Sequence, residues 1–319
     1  MNRKNFGVVS ALGEVTQLVF RRMLGFAGLT MLFFAILIPV LLVLAAILFP
    51  VMTALGPDIA TLDQGGLENL YDPLSPLSLF LMALNLVLLV CFGGFFGAMS
   101  ARAGLNVLTE NAVDPFFAIG SGFKYMFGVG IVLLPVFVLA SLPGYGQMFF
   151  LQGGTTIQDA AMTDGLSMQF YAGAQLIGSA VTLALIWVLA IFFVLTPTVL
   201  LYEGGGFGKL ARSFRLTAGY RLPIALFLFL VYAAWFLIVA LSIGVMFGLF
   251  FLTFATPSLE GVGVGPILIS MVVFVPLLFI VSAIGTGLTS LVGPIIYQRL
   301  LRLKEDQELN SFSSNSNDF

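Results

Sequence analysis

The chain has 319 residues, of which 60% are hydrophobic and only 9% are charged, and its formal net charge is -2. An ordinary soluble domain contains roughly 45–50% apolar and about 25% charged residues, and a fold of this length leaves roughly a quarter of its unfolded surface in contact with water. This composition excludes a soluble globular protein, and lipid is the expected solvent for most of the chain.

Six stretches without a charged residue follow one another along the sequence. They cover residues 24–55, 73–101, 125–158, 165–202, 222–259 and 261–298. A helix needs about 20 apolar residues to cross roughly 30 Å of hydrocarbon, so each stretch is long enough for one crossing and too short for two with a connection. The stretches also lack the alternating pattern of a membrane barrel. The sequence therefore predicts an all-α polytopic membrane protein with six transmembrane helices in three hairpins.

Positive charge is confined to one set of connections. The thirteen Lys and Arg residues precede the first stretch, separate the second from the third and the fourth from the fifth, or follow the sixth. The charged residues of the other connections are all acidic: Asp58, Asp63, Glu68, Asp72, Asp159, Asp164 and Glu260. Because Lys and Arg in short loops stay in the cytoplasm, we expect a multi-pass protein of the bacterial inner membrane with both termini cytoplasmic.

Three similar segments, 8–25, 109–126 and 203–221, each precede a pair of predicted spans. Apolar residues recur at helical spacing in the first and the third: Val8, Leu12, Val15, Val19 and Met23, then Phe207, Leu210 and Phe214. These patterns predict a cytoplasmic interfacial amphipathic helix before each hairpin. The repeat units are 1–101, 102–202 and 203–300, within one membrane domain over 1–300. The polar residues 301–319 predict a disordered cytoplasmic tail.

Basic residues in these segments are candidates for binding lipid headgroups or a protein partner. A Lys or Arg beside an anionic membrane surface contributes about 1 kcal/mol. The binding candidates are Ser213 and the basic residues Lys209, Arg212, Arg215, Arg221, Arg21, Arg22 and Lys124. The alternative role for the basic residues is to stop translocation and fix the topology.

Acidic residues in the same segments fit helix caps or elbows. Asp114 precedes Pro115, a combination typical of an N-cap followed by the first helical position. Glu110 and Glu203 each precede a turn-forming stretch, and capping near a helix N-terminus explains them more simply than acid–base catalysis does.

Residues 195–230, "LTPTVLLYEGGGFGKLARSFRLTAGYRLPIALFLFL", carry a resemblance. They resemble the membrane domain attached to some bacterial glycerophosphoryl diester phosphodiesterases, and related six-helix inner-membrane proteins. Glu203, Arg212, Ser213 and Arg215 match that signature, which marks them as candidate functional or structural positions. In that family the phosphodiesterase chemistry belongs to a separate soluble barrel. The resemblance therefore implies no catalytic residue in this chain.

Two pairs of glycines lie four residues apart inside predicted spans, Gly93 with Gly97 and Gly244 with Gly248. This spacing lets helix backbones approach each other. We expect the pairs to support packing within the chain, and homodimerisation is the alternative.

No catalytic set emerges from the sequence. The chain has no histidine, and it lacks the HExxH, Walker A and dinucleotide-binding motifs. We therefore expect a non-enzymatic inner-membrane protein, without cofactor, metal or nucleic acid, that organises lipid or another membrane or envelope protein through its cytoplasmic helices. The alternative is a transporter or permease subunit for a neutral or amphipathic solute, motivated by proline-interrupted spans and by Asn85 and Gln175.

Overall fold

A computed structural model describes residues 6–55, 76–110, 112–152, 166–204, 206–254 and 264–315. Regular structure in these ranges is helical throughout. In chain order the helices are α1 (Val8–Arg21), α2 (Met23–Leu55), α3 (Pro76–Glu110), α4 (Pro115–Gln152), α5 (Leu166–Phe193), α6 (Thr196–Glu203), α7 (Gly208–Thr217), α8 (Arg221–Phe254) and α9 (Val264–Asn315).

Six parts of this helical structure are long and apolar enough to cross a membrane. They are Met23–Ala46, Ala83–Glu110, Pro115–Leu139, Ser179–Glu203, Arg221–Val245 and Val275–Glu305. The prediction of an all-α, multi-pass membrane protein with six spans is therefore confirmed. The acidic loops predicted for the opposite side lie outside the described residues.

The helix ends follow local sequence. At the start of α4, the backbone N–H of Phe117 donates to Oδ1 of Asp114 at 3.0 Å, so Asp114 caps this helix as the Asp-Pro pair predicts. The fourth predicted span is two helices, because Pro197 in the first turn of α6 has no N–H to continue the ladder of α5. The pair Val194 and Leu195 separates them.

The three predicted interfacial helices are not equivalent in the structure. The first and third segments form the separate helices α1 and α7, but the second does not, because α3 continues to Glu110 and α4 already begins at Pro115. The expectation of a separate helix in the middle unit is wrong. The strong start at Asp114-Pro115 explains this, since it places the first turn of the span itself at that point.

The apolar face of α1 is covered by protein. Val15 and Val19 are fully buried in the core, and α1 packs on α8 and α9. The expectation that this face sinks into lipid is wrong, since a stripe at helical spacing fits a protein neighbour as well as an acyl chain. In α7, by contrast, Phe207 and Phe214 remain exposed while Leu216 is buried.

The last helix is longer than predicted. α9 continues to Asn315, so residues 301–315 are helical and the expectation of disorder there is wrong. Leu, Lys, Glu and Gln in "LRLKEDQEL" favour helix. They extend a helix that is already nucleated, which adds one hydrogen bond for each residue fixed.

Close helix contacts depend on glycines that differ in part from the predicted pairs. A side chain at Gly94 of α3 would collide with the backbone of Met126 and Gly130 on α4, and one at Gly104 would collide with the Ser290 carbonyl on α9. Gly93 and Gly97 do face neighbours, Phe137 in the first case and both Pro197 and Val129 in the second. These contacts make α3 the helix that joins α4 to α9.

The second glycine pair has no such role within the chain. Within the described part of the chain, no atom lies within 4 Å of the position that a Cβ would take at Gly244 or Gly248. The predicted packing of this pair inside the chain is wrong, because the pair sits on an exposed face of α8.

Candidate functional site

The described Lys and Arg residues cluster at one end of the bundle, which we call the basic end. Arg3 and Lys4 lie outside the described residues, which leaves eleven of the thirteen basic residues. They lie at the end of α1, in the C-terminal halves of α3 and α9, along α7, in the third turn of α4 and at the first position of α8: Arg21, Arg22, Arg102, Lys124, Lys209, Arg212, Arg215, Arg221, Arg299, Arg302 and Lys304. Side-chain contacts described below connect these elements.

Glu203 is the acceptor for three side chains from two other helices. Its carboxylate accepts hydrogen bonds from Lys209 Nζ at 2.9 Å, from Arg212 Nε at 2.6 Å and from the Tyr297 hydroxyl at 3.0 Å. The Glu203 side chain is only 16% exposed, so these contacts are partly shielded from water. They join α6, α7 and α9, and we call them the Glu203 junction.

The Glu203 junction changes the roles expected for its members. Lys209 and Arg212 are ion-paired within the protein and not simply free for headgroups, which corrects the expectation for both. Hydrogen bonding to Glu203 also raises the pKa of the Arg212 guanidinium, which keeps it cationic. Glu203 is no N-terminal cap, since it ends α6.

The glycine after Glu203 has a conformational reason. Gly204 has φ of 67°, in the left-handed region, and its N–H donates to the Leu200 carbonyl at 3.0 Å. Glycine adopts this conformation at the end of a helix at no steric cost. The turn brings α7 back against α6, so that Lys209 and Arg212 reach Glu203.

Arg221 and Ser213 are structural in this arrangement. The Arg221 guanidinium lies 4.5 Å from the ring centre of Phe192 and 4.3 Å from that of Phe214. Ser213 is fully buried, and its Oγ donates to the Phe192 carbonyl at 3.2 Å. Ser213 is therefore inaccessible to a ligand, and the expectation that it binds one is wrong. Both residues hold α7 against the end of α5.

A second ion pair fixes α1, and the sequence analysis did not identify it. Arg299 of α9 donates to Glu14 Oε2 at 2.7 Å, to Ser10 Oγ at 2.8 Å and to the Gly7 carbonyl at 3.2 Å. The available signal was weak. Glu14 is the single acidic residue on α1, and three basic residues follow the sixth span.

Four other predicted site residues lie at this end of the bundle, on α1, α3 and α4 or just after α1. Arg21 ends α1 and is exposed, and Arg22 is partly buried. Lys124 lies on the outer face of α4, 5.2 Å from the ring centre of Tyr125. Glu110 is exposed at the last position of α3, at the connection to α4, which fits the expected elbow and not the alternative of an N-terminal cap.

Aromatic side chains accompany the basic residues at this end. Besides the Lys124–Tyr125 and Arg221 contacts, Arg102 of α3 lies 4.3 Å from the ring centre of Phe117 on α4. Large apolar residues are exposed at the same level of the bundle: Phe20, Leu24, Phe116, Phe117, Phe123, Tyr125, Tyr202, Phe207, Phe214 and Leu222. This end therefore combines positive charge with exposed rings.

One cleft at the basic end is lined by cations. It lies between α7 and α9, encloses about 360 Å³, and is bordered by Gly208, Arg212, Arg215, Leu216 and Lys304. Lys304 Nζ donates to the backbone carbonyl of Arg215 at 3.2 Å, which ties the two helices together. Lys304 was not a predicted site residue, since its partner lies 89 positions away in the sequence.

Two further cavities lie between the spans and are lined by apolar side chains. The larger, about 470 Å³, is bordered by α3, α4, α5 and Pro197, with Phe137 and Phe193 among its lining residues. The smaller, about 220 Å³, lies between α2, α3 and α4 and includes Cys91. Neither presents an ionisable Asp, Glu, Lys or Arg side chain.

Comparison of the chain with protein-family models, with curated proteins and with solved structures finds no match in any of the three.

Proposed function

We propose that this chain is a non-enzymatic protein of the bacterial inner membrane whose basic end lies in the cytoplasm and binds anionic lipids of the inner leaflet. The observation that carries the proposal is the pairing of cations with aromatic rings at the basic end. Arg102 of α3 lies beside Phe117 of α4, and Lys124 lies beside Tyr125 on α4.

Pairs of a cation and an aromatic ring are stable at the surface of a membrane. Aromatic rings prefer the headgroup level of a membrane, and Lys and Arg extend toward it while their stems cover apolar surface. A polybasic surface of this kind attracts anionic lipids of the cytoplasmic leaflet. The exposed rings would meet water in a soluble setting, so their exposure beside cations supports a membrane interface.

The separate helices α1 and α7 take different parts in the proposal. The exposed Phe207 and Phe214 support an interfacial position for α7. The role of α1 is to brace α8 and α9, because its apolar face is buried. The three proposed repeat units therefore share the order of their spans and connections, and they do not share an equivalent interfacial helix.

The resemblance to the membrane domain of bacterial glycerophosphoryl diester phosphodiesterases belongs to this proposal as well. Glu203 and Arg212 form the Glu203 junction, and Ser213 holds the end of α5. These contacts support a structural role for the residues that match the family's signature.

A transporter of a neutral or amphipathic solute is the second candidate. The larger cavity between the spans favours it only for an apolar solute, since its lining offers almost no polar group. The same lining suits an acyl chain, which agrees with lipid binding. A flux assay in proteoliposomes across a panel of neutral solutes tests the transporter, and flux above that of empty liposomes would support it.

The lipid proposal is tested by extracting the full chain gently from a membrane of known composition and measuring the retained lipids by mass spectrometry. We expect phosphatidylglycerol and other anionic lipids to be enriched over their share in the membrane. Retained lipids that match the bulk composition would contradict the proposal, and a stoichiometric co-purifying protein in their place would favour a protein partner.

A further inference from the structure

The cleft between α7 and α9 brings three cationic side chains together. Its border carries Arg212, Arg215 and Lys304, and no carboxylate lines it among the side chains that the structure describes. Glu203 pairs with Arg212 from outside this border. Lys304 is bonded to a backbone carbonyl, and Arg215 has no ion-pair partner among the residues that the structure describes. Like charges held together in this way are unfavourable unless an anion joins them.

The nearby carboxylate is already committed. Glu203 binds Lys209, Arg212 and Tyr297 at once. Arg212 uses its Nε for this contact, and its two terminal nitrogens donate to no atom within the described part of the chain. Glu203 therefore positions the Arg212 guanidinium, and the two terminal nitrogens of Arg212 are left as hydrogen-bond donors for a ligand.

The cleft is bordered by a buried side chain and by a hydrogen bond between the two helices. Leu216 is only 3% exposed, and Lys304 Nζ on α9 donates to the Arg215 carbonyl on α7. Gly208, at the N-terminus of α7, leaves open space where a side chain would otherwise project. Helix N-termini favour anions, and here this effect adds to the three side chains.

We propose that this cleft binds a phosphate group, and that the phosphate belongs to the headgroup of an anionic phospholipid. Arginine recognises phosphate through parallel N–H donors, and lysine contributes a compact charge. The volume of about 360 Å³ is within the range of roughly 300–1,000 Å³ for small-molecule sites. Phe207, just before α7, and Phe214 on α7 are exposed, and such rings favour a membrane-interface position for this helix, which favours a lipid over a free phosphate compound.

This inference rests on the proposed function and narrows it to one site. The test uses the purified full chain in a mild detergent, titrated with short-chain phosphatidylglycerol, with short-chain phosphatidylcholine and with inorganic phosphate. Binding is followed by native mass spectrometry for the lipids and by the shift in melting temperature for inorganic phosphate. The variants are Arg215→Gln, Lys304→Gln and the double substitution, and the control is Arg302→Gln, which removes one positive charge from α9 two residues before Lys304.

Each Lys or Arg near an anionic surface changes affinity by about fivefold. We expect phosphatidylglycerol to bind the wild-type chain in preference to phosphatidylcholine. We expect its affinity to fall about fivefold in each single variant and about 25-fold in the double variant, and to stay unchanged in the control. Arg215 and Arg302 are exposed, whereas Lys304 also donates to the Arg215 carbonyl, so equal melting temperatures in the absence of ligand are required to verify that every variant is folded.

Three other outcomes separate the cleft from the general proposal. Arg215→Gln, Lys304→Gln and Arg302→Gln each remove one positive charge, so equal losses in these three variants would overturn the cleft while leaving a diffuse anionic-lipid surface intact. No preference for phosphatidylglycerol in the wild-type chain would overturn both. Inorganic phosphate that binds as tightly as phosphatidylglycerol, with the same losses in the variants, would support the phosphate site and overturn its lipid source.

Discussion

The Tyr297 hydroxyl donates a 3.0 Å hydrogen bond to the Glu203 carboxylate across 94 positions of sequence. This contact connects the end of α6 to α9 at the point where α7 begins to fold back. Because the same carboxylate binds Lys209 and Arg212, one acidic residue determines how three helices meet at the basic end.

We expect Glu203→Gln to destabilise the protein. The substitution keeps a hydrogen-bond acceptor for Tyr297 but removes the charge that pairs with Lys209 and Arg212. Hydrogen bonds to charged groups are each worth about 1.5–3 kcal/mol, and exposed ion pairs less than about 1 kcal/mol. Arg212 is 49% exposed, so we expect a loss of about 1–2 kcal/mol.

Thermal unfolding of the full chain in detergent checks this prediction. The matched control is Glu110→Gln, an exposed carboxylate at the end of α3, which should leave the melting temperature unchanged. A melting temperature for Glu203→Gln equal to that of the control would mean that the junction contributes nothing measurable.

The Arg299 contacts predict how α1 is held. Arg299→Ala removes the hydrogen bonds that Arg299 donates to Glu14, Ser10 and the Gly7 carbonyl, although Val15 and Val19 stay buried. We expect amide hydrogen exchange to accelerate in the first turns of α1 and to remain slow in α3. Exchange that does not rise in Arg299→Ala would show that apolar packing alone fixes α1, and an equal rise in Arg302→Ala would show that the effect is not specific to the Arg299 contacts.

The glycine contacts predict opposite effects at two sites. Gly104→Ala places a Cβ against the Ser290 backbone, which cannot move without shifting α9. We expect a loss of roughly 1–3 kcal/mol, the usual cost of overpacking. Gly244→Ala meets open space and should be neutral or stabilising by up to about 1 kcal/mol, since alanine favours helix.

Melting temperatures of the two glycine variants in the same detergent decide the question. If Gly244→Ala is the more destabilising substitution, α8 uses this face against another molecule. A shift from dimer to monomer in that variant would identify the molecule as a second copy of the chain.

The six spans follow from sequence because their cause is local. A run of about 20 apolar residues matches the membrane thickness whatever surrounds it. The Asp114 cap is local in the same sense, since donor and acceptor lie three residues apart. Features of this kind depend on neighbouring residues only.

The contacts at the basic end were not predictable because they are long-range. The apolar stripe of α1 has the same period whether it faces lipid or α9, so Val15 and Val19 give no signal of their partner. Among many glycines, Gly104 is distinguished only by the position of Ser290 in three dimensions. Glu203 appears as an elbow in sequence, and only the return of α7 and α9 makes it a junction.

The most direct test of the account is the side of the membrane on which the basic end lies. Cysteine is introduced by Arg302→Cys or by Asp63→Cys in a Cys91→Ser background, and intact cells are treated with a membrane-impermeant maleimide. We predict labelling of the Asp63→Cys protein in intact cells, and of the Arg302→Cys protein only after the membrane is permeabilised. Labelling of the Arg302→Cys protein in intact cells, with the Asp63→Cys protein protected, would contradict the orientation and with it the binding of cytoplasmic-leaflet lipids.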